Sequence, residues 1–293
     1  MKLNQHILPL ISGLLLLLGY ASSCSSAPTE SKIVTVSIDP QKYLLEQITG
    51  DRVEVRCLLS GSANPETYDP TVTHLMNLRK SLGYLRMGNI GFEAALLDKI
   101  HQANPELPIY NTSAGVELIT GTHSHSHDGV THSEADPHTW SSVKNAKIIV
   151  KNMLDAMIEI DPDNKAYYLK NYNRYAAHLD SLDNAITAKL APVTGSAFMV
   201  WHPSLSYFAR DYGLEQIVVG NAEHKDISAN QLKKTIDHAR EHGADVFFTQ
   251  KDFDSRQVNA VNDEIGAWEV SINPMAYDWE SEITSIANAL TNN

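Results

Sequence analysis

Apolar and polar positions along this chain switch repeatedly between a two-residue and a three-to-four-residue period. Ile33–Ile38 is a short β-branched run, read as a strand. Asp39-Pro40 suits the start of a helix that Gly50 ends. Val53–Leu59 predicts a second strand, and the polar loop GSANPETYDP leads into a helix near Val72–Leu82. Tyr84–Met87, Phe92–His101 and Ile109–Asn111 follow as strand, helix and short strand.

A helix is predicted from about Ser142 to Ile160. Asp161-Pro162-Asp163 then opens a stretch without Gly or Pro until Pro192; residues 163–190 would make about 42 Å of helix. Tyr168, Tyr172, Tyr175, Leu179, Leu182 and Ile186 form one apolar stripe along it, long enough to run the height of two stacked lobes. After it the alternation restarts: strand Ala197–Trp201, helix Leu205–Tyr212 stopped by Gly213, strand Gln216–Val219, and a helix capped by Ser228 and ended by Gly243. Val246–Phe248, Ser255–Ile265, Trp268–Ile272 and Glu280–Leu290 complete the series.

Strands alternating with helices predict parallel sheets built from βαβ units. The expected architecture is α/β: two Rossmann-like lobes, residues 32–160 and 195–293, each a mainly parallel sheet flanked by helices, joined by one long linking helix in 161–194. Ligands in such folds sit outside the carboxyl ends of strands, and the cleft between two lobes is the natural site.

The first 23 residues read differently. Lys2 precedes an apolar stretch, Ile7–Leu18, that is shorter than the ~20 residues of a bilayer-spanning helix, so residues 1–23 are expected to be a signal peptide. Ala21, Ser22 and Ser23 lead to Cys24, as in a bacterial lipoprotein cleavage box. Cys24 is the expected lipidation site and residues 24–31 a flexible tether. Cys57 alone then remains, so no internal disulfide can form; it lies in the strand-like run VEVRCLL and is expected to be buried.

With 35 acidic against 23 basic residues the formal net charge is −12. A nucleic-acid binder should present a basic surface, so that class is set aside. Histidine is abundant at 13 residues, and five lie close together: His123, His125, His127, His132 and His138. Residues 121–136 hold only Val130 and Ala135 as apolar residues, too few to pack, which predicts a mobile polar loop able to collect metal ions.

Three residues at strand-to-helix turns carry more specific chemistry. Glu66 lies in GSANPETYDP, His138 in DPHTW, and His202 in WHPSLSYFARDYGLEQ directly after a strand. Two imidazoles and a carboxylate could supply three of the roughly four donors of a zinc site.

GSANPETYDP, MGNIGFEAALL, DPHTW and WHPSLSYFARDYGLEQ occur in this order. Together they resemble the metal-binding solute-binding proteins of bacterial zinc and manganese ABC importers, over nearly the whole mature chain. In that family a PHxYEP-like motif gives the first ligand, DPHxW the second and HPxxxYFxxxYGL the third. His138 and His202 match residue for residue; Glu66 stands where His is usual. The family often supplies a fourth ligand, an Asp, after the penultimate strand. Here VSINPMAYDW offers Asn273 at that point and Asp278 five residues later, so Asn273, Asp278 or water could complete the shell.

The resemblance implies a non-enzymatic, extracytoplasmic protein, lipid-anchored to a bacterial membrane. It would capture Zn2+, with Mn2+ the lesser alternative, and deliver it as a monomer to an ABC permease and its ATPase. Imidazole donors favour zinc, copper or nickel over manganese. Two other readings stay open. HSHSHD at 123–128 loosely resembles the HxHxDH of metallo-β-lactamase-like hydrolases, with its last two residues reversed; the chain could also be a surface adhesin or a metal-storage lipoprotein.

Overall fold

The computed structural model describes residues 31–61, 65–66, 68–127, 130–220, 229–250 and 255–292. The expected leader, Cys24, the tether up to residue 30 and the Ser228 cap lie outside them.

All six side chains of β1 (Ile33–Ile38) are buried. A strand buried on both faces needs helices above and below its sheet, which parallel βαβ topology supplies. Pro40 sits in the first turn of α1 (Asp39–Thr49), where its missing N–H costs no hydrogen bond, and Gly50 closes the helix at φ 53°. β2 (Glu54–Leu59), α2 (Val72–Leu78), β3 (Tyr84–Arg86), α3 (Gly91–Ala103) and β4 (Ile109–Asn111) complete a parallel sheet of order β2-β1-β3-β4. Val36 pairs with Cys57 on one side and Leu85 on the other, which fixes the register of the central strands.

Residues 121–136 depart from the expected loop. β5 (Thr120–His127) and β6 (Val130–Ala135) form an antiparallel ribbon with His125 opposite His132. A ribbon satisfies backbone hydrogen bonds between its own strands and needs no apolar core to do so. The signal was in the sequence: Ser and His alternate with period two over residues 123–127.

α4 (Val143–Ile160) begins on a side-chain cap, Ser142 accepting from Asn145 N–H. α5 (Lys165–Leu190) is the long helix, about 39 Å. Tyr168, Tyr175, Leu179 and Ile186 of its stripe are buried, and Tyr172 and Leu182 partly so. The second lobe comprises β7 (Ala197–Val200), α6 (Ser206–Tyr212), β8 (Glu215–Val218), α7 (Ala229–Glu241), β9 (Val246–Gln250), α8 (Ser255–Ile265) and β10 (Trp268–Ile272), followed by α9 (Trp279–Ala289). Its parallel sheet has the order β10-β9-β7-β8.

Two parallel four-stranded sheets flanked by helices, joined by one long helix, make the two-lobed α/β fold. α9 also returns to the first lobe, packing on α1 and α5. The indole N–H of Trp140 donates to Pro274 O at 2.8 Å and that of Trp279 to Trp140 O at 2.7 Å, so each lobe satisfies a buried donor or acceptor of the other.

Cys57, expected to be buried, is only partly so. Burial still pushes its thiol up to about 12, and its Sγ lies 3.1 Å from Leu59 O. A thiol held protonated is neither a ready nucleophile nor a metal ligand.

Candidate metal centre

The three turns singled out in the sequence converge. Glu66 follows β2, in a turn fixed by its own neighbours. The Tyr68 ring meets the Phe92 ring edge-on at 5.4 Å, and its hydroxyl lies 2.8 Å from His74 Nδ1. His74 in turn closes a reciprocal cap with Thr71 at the start of α2.

His138 follows β6 and precedes α4. Asp136, fully buried, accepts a hydrogen bond from the His138 backbone N–H at 2.9 Å, and its Oδ1 also lies 3.0 Å from His138 Nδ1. Thr139 is tied to Ser113 at 2.8 Å, and Asn145 Nδ2 donates to Thr139 O at 3.0 Å, so both sides of the turn are anchored. The imidazole rests against Trp140 at 5.2 Å and meets the His202 ring at 77°.

His202 leaves the carboxyl end of β7. Gly220 makes this turn possible: its N–H donates to Trp201 O, and a Cβ there would stand 2.2 Å from that oxygen. Ser204 N–H donates to His202 O at 2.7 Å, and Gln250 reaches Ser204 Oγ at 3.1 Å, linking the turn to the end of β9.

The resulting distances are 3.3 Å between the two Nε2 atoms, 3.5 Å from His202 Nε2 to Glu66 Oε1, and 3.8 Å from His138 Nε2 to the same oxygen. A tetrahedral shell with bonds of ~2.0–2.2 Å has edges of about 3.3–3.6 Å. Two of the three spacings fall in that range and the 3.8 Å one lies just above it, so the triangle is close to one face of such a shell. His138 and His202 are only 3% and 6% exposed, while the Glu66 side chain keeps 16%. Two carboxylates, Glu66 at the centre and Asp136 behind it, are the charge a dication would neutralise. The donor set of two imidazoles and one carboxylate suits zinc and its neighbours and leaves one position open.

Asn273 and Asp278, the two side chains offered for the fourth position, are engaged in their own turns. Asn273 is exposed, and its Oδ1 accepts from Met275 N–H at 3.1 Å within its own turn. Asp278 is exposed too and caps α9 through Ser281 N–H. The sequence reading also passed over Asp136, although the Asp-Pro-His spacing carries it. A carboxylate two residues before a ligating imidazole can reach that ring's other nitrogen.

A second set of donors lies elsewhere among the described residues: Glu215, His238 and His242. No sequence motif pointed to it.

Comparison with known proteins places these observations in a family. Residues 34–292 match the family model described as "ZnuA: Zinc-uptake complex component A periplasmic". The high-affinity zinc uptake system protein ZnuA of Bacillus subtilis (strain 168) is 28% identical over 243 residues, covering 80% of this chain and 75% of that protein. A crystal structure of ZnuA superposes with a TM-score of 0.80 at 33% identity, over 90% of this chain and 99% of the other. The solute-binding protein FpvC of Pseudomonas aeruginosa, solved in complex with Mn2+, gives 0.76 at 25% identity, over 89% and 98%.

Proposed function

Because the chain belongs to the ZnuA family, periplasmic metal-binding solute-binding proteins rather than enzymes, we propose that Glu66, His138 and His202 hold the transported ion and that this ion is zinc. One observation carries the reading: three donor atoms from three turns and both lobes lie close to the spacing of a tetrahedral face. An ion there would bridge the lobes, with water as its fourth ligand.

Zinc is favoured over manganese by chemistry as well as by kinship. Two imidazoles and one carboxylate form a nitrogen-rich set, whereas manganese prefers oxygen. FpvC, solved with Mn2+, shows that similar architecture serves other ions, so the donor set rather than the fold carries the preference. On this reading the chain is a monomer, tethered by a lipid on Cys24, that hands zinc to an ABC permease driven by its ATPase. The His-rich ribbon of β5 and β6 gathers ions near the cleft but is not required for tight binding.

The test is metal analysis of protein purified without chelator, followed by competition between zinc and manganese. Zinc should be recovered at one equivalent in the cleft and outcompete manganese. Nanomolar zinc binding retained by the H138A/H202A protein would remove the ligand assignment. Manganese winning the competition would remove the choice of ion.

A further inference from the structure

The second donor cluster stands on different elements from the cleft. Glu215 opens β8, while His238 lies in the last turn of α7 and His242 one turn further on. His242 N–H still donates to His238 O at 3.1 Å, so the two imidazoles project from the same helical face, four residues apart. Gly243, at φ 61°, then terminates the helix, and Ala244 N–H returns to Ala239 O at 2.9 Å.

Both histidines converge on one carboxylate. His238 Nε2 lies 2.9 Å from Glu215 Oε1, His242 Nδ1 lies 2.7 Å from Oε2, and the two ring centroids are 4.1 Å apart. One donor atom from each residue falls within 4.8 Å of the others. The cluster occupies the carbonyl end of a helix, where the backbone dipole favours a cation.

This end of the lobe faces away from the cleft. Ala197 at the start of β7 pairs with Glu215, whereas His202 lies beyond the other end of β7. The two clusters are therefore separated by five residues along the strand direction, about 16 Å, and cannot share an ion.

We propose that Glu215, His238 and His242 form a second site for a late divalent transition-metal ion of the zinc, nickel or copper class. Two imidazoles and a carboxylate are three donors of the kind those ions take. The side chains are 42–45% exposed, so they can open from hydrogen-bond spacing to shell spacing without disturbing the core. Water fills the remaining positions, and the ion exchanges faster and binds more weakly than in the cleft. The alternative arrangement is Glu215 simply accepting two imidazole N–H hydrogen bonds.

Zinc titration of the full mature chain separates the two, comparing wild type with H238A/H242A. The double variant should bind one equivalent fewer, lost from the weaker class, with the tightest equivalent unchanged. E215Q should weaken the same equivalent by about tenfold or more. In labelled wild-type protein the imidazole signals of His238 and His242 should shift as that equivalent binds. Equal stoichiometry in wild type and double variant, or imidazole signals that stay in place at saturating zinc, would overturn the site. The outcome does not depend on which ion fills the cleft.

Discussion

Asp136 determines which nitrogen of His138 is available. Its Oδ1 lies 3.0 Å from Nδ1 and also accepts the His138 backbone N–H, so the ring is pinned through one edge. A carboxylate can only accept, so Nδ1 carries the proton and Nε2, facing Glu66 and His202, carries the lone pair. Asp136→Asn keeps the shape but removes the charge behind the ring. Zinc affinity should fall by about 10–100-fold with the fold intact, read by competition against a chromophoric chelator alongside circular dichroism. An unchanged affinity would mean that Asp136 serves the turn alone.

Glu66 adds an oxygen donor to a set otherwise made of imidazoles. Glu66→His should retain tight zinc binding, because the turn already aims its side chain at both imidazoles. It should also lower manganese affinity relative to zinc, since an oxygen donor is exchanged for nitrogen. Glu66→Ala should weaken both ions. If Glu66→Ala titrates like wild type, this turn does not contribute a ligand.

An ion held by residues of both lobes stabilises the folded state as a whole. At about 1,000 times its dissociation constant, zinc should add about 4 kcal/mol, a rise in Tm on the order of 10 °C. Calorimetry of chelator-stripped protein with and without zinc would measure it. The same scan of H138A/H202A should show most of the rise gone, and no rise in wild type would count against a bridging ion.

Much of this was legible in the sequence because the signals were periodic. The β–α alternation and the Gly- and Pro-free stripe of α5 fixed two lobes and their connector. Glu66, His138 and His202 were legible because each follows a strand in a Pro-containing turn. The ribbon at 120–135 was missed because a segment with so few apolar residues looks like a loop, although its pairing needs only backbone partners. Asn273 and Asp278, left open with water as the fourth ligand, have a local use in the fold. Both side chains serve local backbone N–H groups at the entry to α9, a use that sequence spacing cannot distinguish from ligation. Glu215, His238 and His242 come together only through the pairing of β8 and the end of α7, so no contiguous motif contains them.

Asp161 joins α4 to α5 and should give the fold an acid-sensitive anchor. Burial raises its pKa, but hydrogen bonds from Lys32, Tyr168 and Asn164 outweigh that and hold it below the usual carboxylate value. A lowered folded pKa contributes stability that is fully present above the unfolded value of about 3.9 and is lost as pH falls through the folded one. Asp161→Asn should therefore cost about 1–3 kcal/mol at pH 7. Urea titrations of both proteins should converge as pH drops below about 4. A gap that persists at pH 2 would assign the cost to packing instead.

The connection between the lobes bears on how an ion enters and leaves. A single continuous helix, α5, runs between them, and α9 returns from the second lobe to pack on α1 of the first lobe and on α5. Around that return, Trp140 and Trp279 exchange indole hydrogen bonds with Pro274 O and Trp140 O, and Tyr43 and His178 both reach Glu280, at 3.3 and 2.8 Å. Closing the lobes as a hinge would break several of these contacts at once, two of them buried indole donors costing about 1–3 kcal/mol each. Opening the cleft by shifting the short turns that carry Glu66 and His202 breaks none of them. Metal release should therefore proceed by local movement of those turns. Small-angle scattering of stripped and zinc-loaded protein should give superimposable curves, while hydrogen exchange should slow around Glu66, His138 and His202 on loading. A clear decrease in radius of gyration with zinc would instead require that the seam around Trp140 and Trp279 opens.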